Sequence, residues 1–190
     1  NLPKGVLSIL HGEGKIIGEA IVNHKKIKAI SFTGGTDTGK AIAKKASKNL
    51  KKISLEMGGK NPVIIFDDCN YNKMIDSLLK SSFLNQGQIC LAGSRVYVQQ
   101  TIYEKFKKDF ISKIKKLNIG DPFDNKTDQG AIVSLEHLNK ISQYVNQAKK
   151  EGGEILTGGE IPKINKNKSS GWYFSPTVIE NISEDSSLNQ

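Results

Sequence analysis

The strongest constraint on what this chain can fold into is a repeated alternation of short strand-like runs with helical ones. Ile27 to Phe32 reads as a strand. Thr36 to Lys48 reads as a helix with Ala41, Ile42 and Ala46 on one face, and Ile53 to Leu55 as a strand again. The order recurs with a strand at Val63 to Phe66, a helix at Tyr71 to Leu84 and a strand at Arg95 to Gln99. Strand–helix–strand order of this period predicts an α/β chain with parallel pairing and crossover helices. Ahead of it, Val6 to Leu10 is a short strand-like apolar run, and Lys15 to Asn23 carries Ile16, Ile17, Ala20 and Ile21 at helical spacing. Beyond it, Ile102 to Leu117 is a long amphipathic helix with Phe106, Phe110, Ile114 and Leu117 inward. Ser134 to Lys150 is a helix capped by Ser134, followed by a turn at Gly152-Gly153 and a short strand at Glu154 to Leu156. Lys163 to Ser170 reads as an exposed loop, Tyr173 to Ile179 as a strand bent at Pro176, and Ser183 to Gln190 as a polar tail.

Composition excludes several function classes. No apolar run approaches the ~18 residues of a membrane helix, and no signal peptide stands at Asn1-Leu2-Pro3-Lys4-Gly5. Two cysteines make no disulfide framework, and His11, His24 and His137 build no metal cluster of known spacing. The net charge is +9, but Arg95 is the only arginine beside 27 lysines spread along the chain. Nucleic-acid surfaces combine clustered charge with arginine and stacking aromatics, so the lysines read as solvated faces and no nucleic acid is expected. Without a secretion signal, the triplets Asn125-Lys126-Thr127, Asn167-Lys168-Ser169 and Asn181-Ile182-Ser183 read as chance matches to the glycosylation pattern. The expected compartment is the cytoplasm.

Three segments carry chemistry. Gly12-Glu13-Gly14-Lys15-Ile16-Ile17-Gly18 is placed between a strand and a helix, where glycines let backbone and ligand approach closely. Phe32-Thr33-Gly34-Gly35-Thr36-Asp37-Thr38-Gly39 also joins a strand to a helix. Unpaired N–H groups at such a helix start form an anion site, unless Thr36 or Asp37 merely caps the helix. It is not a Walker loop, since no Gly-Lys-Ser/Thr follows. The third feature is a thiol and a carboxylate: Cys90 after Asn85-Gln86-Gly87-Gln88-Ile89, and Glu56 at the end of a strand-like run. A thiolate is a nucleophile and a carboxylate a general base. The bland alternative is that Cys90, like Cys69, is a small buried apolar residue.

Together these segments resemble the aldehyde dehydrogenase superfamily. Phe32-Thr33-Gly34-Gly35-Thr36 is similar to its cofactor motif, Leu55-Glu56-Met57-Gly58-Gly59-Lys60 to the motif bearing its general base, and Asn85-Gln86-Gly87-Gln88-Ile89-Cys90 to the motif bearing its nucleophile. The resemblance implies Cys90 as the thiolate that attacks the aldehyde and Glu56 as the base that hydrolyses the thioester. It implies NAD as cofactor, with NADP equally compatible, held by Gly14, Gly18, Phe32, Gly34, Gly35, Thr38, Met57 and Gly58. Glu56 favours a hydrolytic enzyme over a CoA-acylating one, and Gly34-Gly35 with Gln88-Ile89-Cys90-Leu91 resembles the muconic semialdehyde dehydrogenase branch. The family often has serine where Gly35 stands.

The resemblance also implies an internal segment, truncated at both ends, of an α/β enzyme with parallel sheets and flanking helices. Residues 1–57 would be the C-terminal part of the NAD(P)-binding domain and 58–190 an incomplete catalytic domain. The expected partner is a small-molecule aldehyde, with no membrane, and the full-length enzyme is expected to be a homodimer or homotetramer. The segment alone is expected to be inactive. The rival readings are a catalytically silent fragment, a cysteine hydrolase without cofactor, and a basic nucleic-acid-binding module.

Overall fold

β1 (Ala29–Gly34) and β2 (Lys52–Met57) pair in parallel, and α2 (Thr36–Ser47) is the crossover between them. The computed structural model describes residues 2–164 and 171–189, so the triplet at 167–169 and most of the expected loop at 163–170 lie outside the described residues. The chain divides into two compact units, Asn1–Gly58 and Gly59–Gln190.

In the first unit, α2 buries Gly39 and Ala46 with Ile42 and Ala43 half-buried, while Ala41 is exposed. The expected face is therefore rotated: Ala41 lies about 200° around the helix from Gly39 and points to water. The helical run before β1 starts as a π-turn at Gly14–Gly18 and becomes α1 over Glu19–Asn23. Two glycines in one turn weaken regular α-geometry. Val6 to Leu10 is not a strand; it has no regular structure and is exposed. A lone apolar run needs a neighbouring strand to pair with, and none among the described residues pairs with it.

The second unit repeats the unit of construction. β3 (Asn61–Ile65) and β4 (Gly93–Val98) pair in parallel across α3 (Tyr71–Phe83). α3 and α4 (Tyr103–Ile114) close a core of Ile65, Ile75, Leu78, Phe106, Phe110 and Ile114. Phe106 and Phe110 stack with ring centroids 5.3 Å apart, and aromatic pairs of this geometry add about 1 kcal/mol to area burial. α4 ends three residues before Leu117, in tight turns where Lys116 N donates to Lys113 O at 3.1 Å and Leu117 N to Ile114 O at 3.0 Å. Leu117 is consequently only half-buried.

α5 (Leu135–Lys150) begins where expected, because Ser134 Oγ accepts from His137 N at 3.1 Å. Such a cap contributes about 1 kcal/mol. β5 (Glu154–Thr157) and β6 (Val178–Glu180) pair antiparallel, which makes this third pair the exception to parallel pairing. The strand expected over Tyr173 to Ile179 shrinks to three residues: Pro176 has no N–H to give a ladder, and upstream Trp172 forms only an isolated bridge to Ile132. The polar tail folds back, with Ser186 buried and its hydroxyl donating to Glu151. Among the described residues, no helix is long and apolar enough to cross a membrane.

Two tyrosines tie the second unit together. Tyr71 donates its hydroxyl to Asp109 Oδ2 at 2.8 Å, joining α3 to α4, and Tyr103 donates to Glu180 Oε2 at 2.8 Å, joining α4 to β6. Burial first, then the bond to a carboxylate, pushes each phenol up to about 12. The raised value means the fold favours the protonated phenol. The contribution is therefore complete below the ordinary phenol value near 10 and is lost as pH rises through about 12. A spectrophotometric alkaline titration is expected to show two late phenolate transitions, one of which Tyr71→Phe removes; ionisation of Tyr71 near 10 would contradict this.

Candidate active site

In the first unit the parallel register sets Thr33 beside Glu56 and Gly34 beside Met57. Both strands run the same way, so these residues share the carboxyl end of the sheet, where open α/β sheets bind ligands. α2 starts at once from this end, with Gly35 as its N-cap in extended conformation (φ −71°, ψ 146°) and no side chain capping it. The alternative that Thr36 or Asp37 caps the helix therefore does not hold. The first-turn N–H groups, Thr38 included, are left for a partner outside the helix. They make up the positive end of the helix dipole, with Asp37 as the one acidic side chain in that turn.

Close packing explains two glycines here. A Cβ on Gly34 would stand 2.5 Å from the Phe32 ring, and one on Gly39 would stand 2.5 Å from Met57 Sδ. Phe32, Gly34, Gly39 and Met57 thus form one packed ledge, and Glu56 stands exposed beside it. Around Gly35 a Cβ would meet open space, so the serine common in the resembled family would fit without displacing anything. Gly58 ends the unit, also with open space where a Cβ would stand. Gly14 and Gly18 bound the π-turn ahead of α1. Glu19, next to Gly18, forms an ion pair with Lys45 in the last turn of α2. Lys45 is nine residues from Thr36, or about 13 Å along the helix.

Cys90 belongs to the second unit and is exposed, not buried in the core. Cys69 is half-buried and packs against the hydrophobic core. Cys90 stands between α3 and β4 in a turn closed by Ala92 N donating to Ile89 O at 3.0 Å, and an unusual stretch precedes it. Leu84–Gly87 is a short 3-10 stretch in which Asn85 (φ 51°, ψ 40°), Gln86 (φ 57°, ψ 26°) and Gly87 (φ 73°) are all left-handed. Left-handed backbone costs roughly 1–2 kcal/mol for a residue with a Cβ, so surrounding contacts must hold the turn. Asn61, at the start of β3, donates its Nδ2 to the carbonyls of Cys90 (2.7 Å) and Ala92 (3.1 Å). Gly93 lets the chain turn into β4 against Val63, where a Cβ would stand 2.6 Å from Val63 Cγ2.

Two cations lie near the root of this turn. Arg95 Nε donates to the Lys60 carbonyl at 2.9 Å, and desolvation, then the Arg95 charge, lowers the Lys60 ammonium from its ordinary value. Both residues line a cavity of about 660 Å³ with Tyr97, Phe106 and Glu180, but Cys90 and residues 84–92 are not in its walls. Among the described residues, no three His, Cys, Asp or Glu side chains are placed to hold a metal ion. Sequence reasoning singled out Cys90, Glu56, the glycines and the motif that contains Gln88, but missed Asn61, Gln129 and the tie that Gln88 makes to Val133. An asparagine opening a strand and a glutamine between helices carry no spacing signal that would find them.

Every residue of the chain, 1–190, matches the model of the aldehyde dehydrogenase family, and the chain belongs to that family. It is 40% identical over 189 residues to a D-glyceraldehyde dehydrogenase (NADP(+)) of Picrophilus torridus, with all of this chain and 38% of that one aligned. It is 41% identical over 187 residues to the 2-aminomuconic semialdehyde dehydrogenase of Bos taurus, covering 97% of this chain and 38% of the relative. A crystal structure of a betaine aldehyde dehydrogenase double mutant from Staphylococcus aureus in complex with NAD+ superposes with a TM-score of 0.94 at 41% identity. That match covers 100% of this chain and 38% of the other. The chain thus spans less than two-fifths of the length of these relatives.

Proposed function

We propose that these residues form part of an NAD(P)-dependent enzyme that oxidises an aldehyde to a free carboxylic acid. The observation that carries the reading is the exposed Cys90 just after a braced, strained stretch of backbone. Cys90 Sγ attacks the aldehyde carbon as a thiolate, giving a thiohemiacetal whose oxyanion accepts from the Cys90 backbone N–H. Bound NAD(P) would supply the acceptor for the two electrons and the hydrogen that leave the adduct carbon. Cys90 then carries a thioester. Glu56 takes a proton from water as the water oxygen attacks the thioester carbonyl; the C–S bond breaks, the acid leaves and the thiolate returns.

The uncapped start of α2 fits a pyrophosphate, since its N–H groups have no side-chain cap and Gly35 leaves open space beside them. Gly34 and Gly35 would lie along the pyrophosphate, with Phe32 beneath and Thr38 beside the adenine. Gly14 and Gly18 would meet the adenosine end, and Met57 and Gly58 would border the nicotinamide. Support for a semialdehyde substrate comes from the relatives named for 2-aminomuconic semialdehyde together with Gly34-Gly35 and Gln88-Ile89-Cys90-Leu91.

The test is aldehyde-dependent NADH formation by the complete enzyme that carries these residues. One free acid per NADH, with no requirement for coenzyme A, is the expected result. Acyl-CoA as the product would overturn the hydrolytic reading, and no NAD(P)+ reduction with any aldehyde would overturn the dehydrogenase reading. The 190 residues alone are expected to turn over little, since they span 38% of the relatives' length.

A further inference from the structure

The left-handed run before Cys90 is held from one side by a feature the reaction chemistry does not require. Gln88 ties the turn to the segment that precedes α5: its Oε1 accepts from Val133 N at 3.1 Å. The same residue closes the turn on itself. Gln88 N donates to Asn85 O at 3.0 Å, Asn85 Nδ2 donates to Gln88 O at 3.2 Å, and Gln88 Nε2 reaches Asn85 O at 3.5 Å. Gln129, itself buried, donates Nε2 to the carbonyl of Phe83, the last residue of α3, at 2.7 Å. Turned so that its oxygen faces Gly130 N, the Gln86 carboxamide accepts there at 3.0 Å. Three glutamines therefore lash the stretch just ahead of the thiol to residues 129–133, while Asn61 holds the carbonyls of Cys90 and Ala92 from β3.

From this we infer that Gln88 is a positioning residue for Cys90, acting through the Val133 N–H to keep the strained turn in one conformation. The chemistry of the contact is specific. The backbone N–H of an exposed segment needs an acceptor two residues from the sulfur, and a carboxamide or carboxylate oxygen supplies one. Leucine at the same place fills similar space without accepting. With the acceptor gone, the left-handed residues Asn85 and Gln86 lose their tie to residue 133 and the turn can relax toward ordinary backbone. Cys90 then samples many orientations in place of one. The inference rests on the reading of Cys90 as the nucleophile only for its functional meaning, not for the geometry.

The test follows thiol labelling of this chain by iodoacetamide, resolved by mass spectrometry so that Cys69 is an internal reference. Gln88→Leu is expected to raise the labelling rate of Cys90 about fivefold, because a freed turn exposes the sulfur to more approaches. The Cys69 rate and the thermal midpoint stay where they were. Gln88→Glu keeps the acceptor for Val133 N–H and is expected to label like the unsubstituted chain. An unchanged Cys90 rate in Gln88→Leu overturns the inference, and so does an equal rise in Gln88→Glu. A parallel rise at Cys69 with a lowered midpoint would mark general loosening and overturn it as well. Retained dehydrogenase turnover in Cys90→Ser would sink the nucleophile reading separately and leave the labelling result to stand or fall alone.

Discussion

Cys90→Ser in the complete enzyme is expected to lower aldehyde oxidation by about four orders of magnitude or more while leaving the fold as it was. The size of the loss follows from the chemistry. Removing the nucleophile of a concerted catalytic set leaves only binding and oxyanion stabilisation, which elsewhere retain a residual about 10⁶-fold below the full rate. A serine hydroxyl is a far weaker nucleophile than a thiolate unless an adjacent base activates it. The stability side follows from the geometry. Cys90 is exposed and its sulfur is not part of the core, and the contacts that brace it from β3 run to the backbone carbonyls of Cys90 and Ala92, not to the side chain. A surface substitution of this kind shifts stability by roughly 0.5 kcal/mol or less. Steady-state NADH formation and a thermal melt check both halves. Turnover near the unsubstituted level would end the assignment.

Glu56→Gln separates the two halves of the same reaction. Turnover is expected to fall between about 10² and 10⁴-fold, the range general-base catalysis supplies. The defect has a particular form. Formation of the thioester needs no base at Glu56, so one NADH per active site should still appear rapidly; release of acid then stalls. Rapid quench with product analysis distinguishes this from a slow first step. Loss of the initial NADH burst would show Glu56 acting before the thioester, against the proposed role. Glu56 stands at the exposed end of β2 beside Thr33, so the neutral amide should fit without disturbing the strand.

How much of this was legible in the sequence differs by element. The two parallel pairs were readable because each strand run is followed at short range by a helix with apolar spacing, and a parallel pair needs such a crossover. α5 was readable to its first residue because Ser134 is a cap of ordinary kind. Failures occurred where a pattern lacked a partner. Val6 to Leu10 has strand composition and nothing to pair with, and Tyr173 to Ile179 is cut by Pro176. The face of α2 was misplaced at Ala41 because alanine suits either side of a helix and the packed glycine, Gly39, carries no hydrophobic signal. At the site, reactive residues were legible by type and order, but their supports were not. Asn61, Gln88 and Gln129 act through single amide groups whose partners lie 29 to 46 positions away in sequence. Nothing local marks such a pairing.

The sheets themselves carry one last implication. Each is only two strands wide, so every strand keeps one flank whose peptide groups meet no other strand among the described residues. Ile64 (63% exposed) and Tyr97 (48%), from paired strands, are also open to water. A flank of this kind can accept a further strand. Two strands are therefore a lower bound on the width of each sheet, and the relatives carry more than half of their length outside the matched stretch.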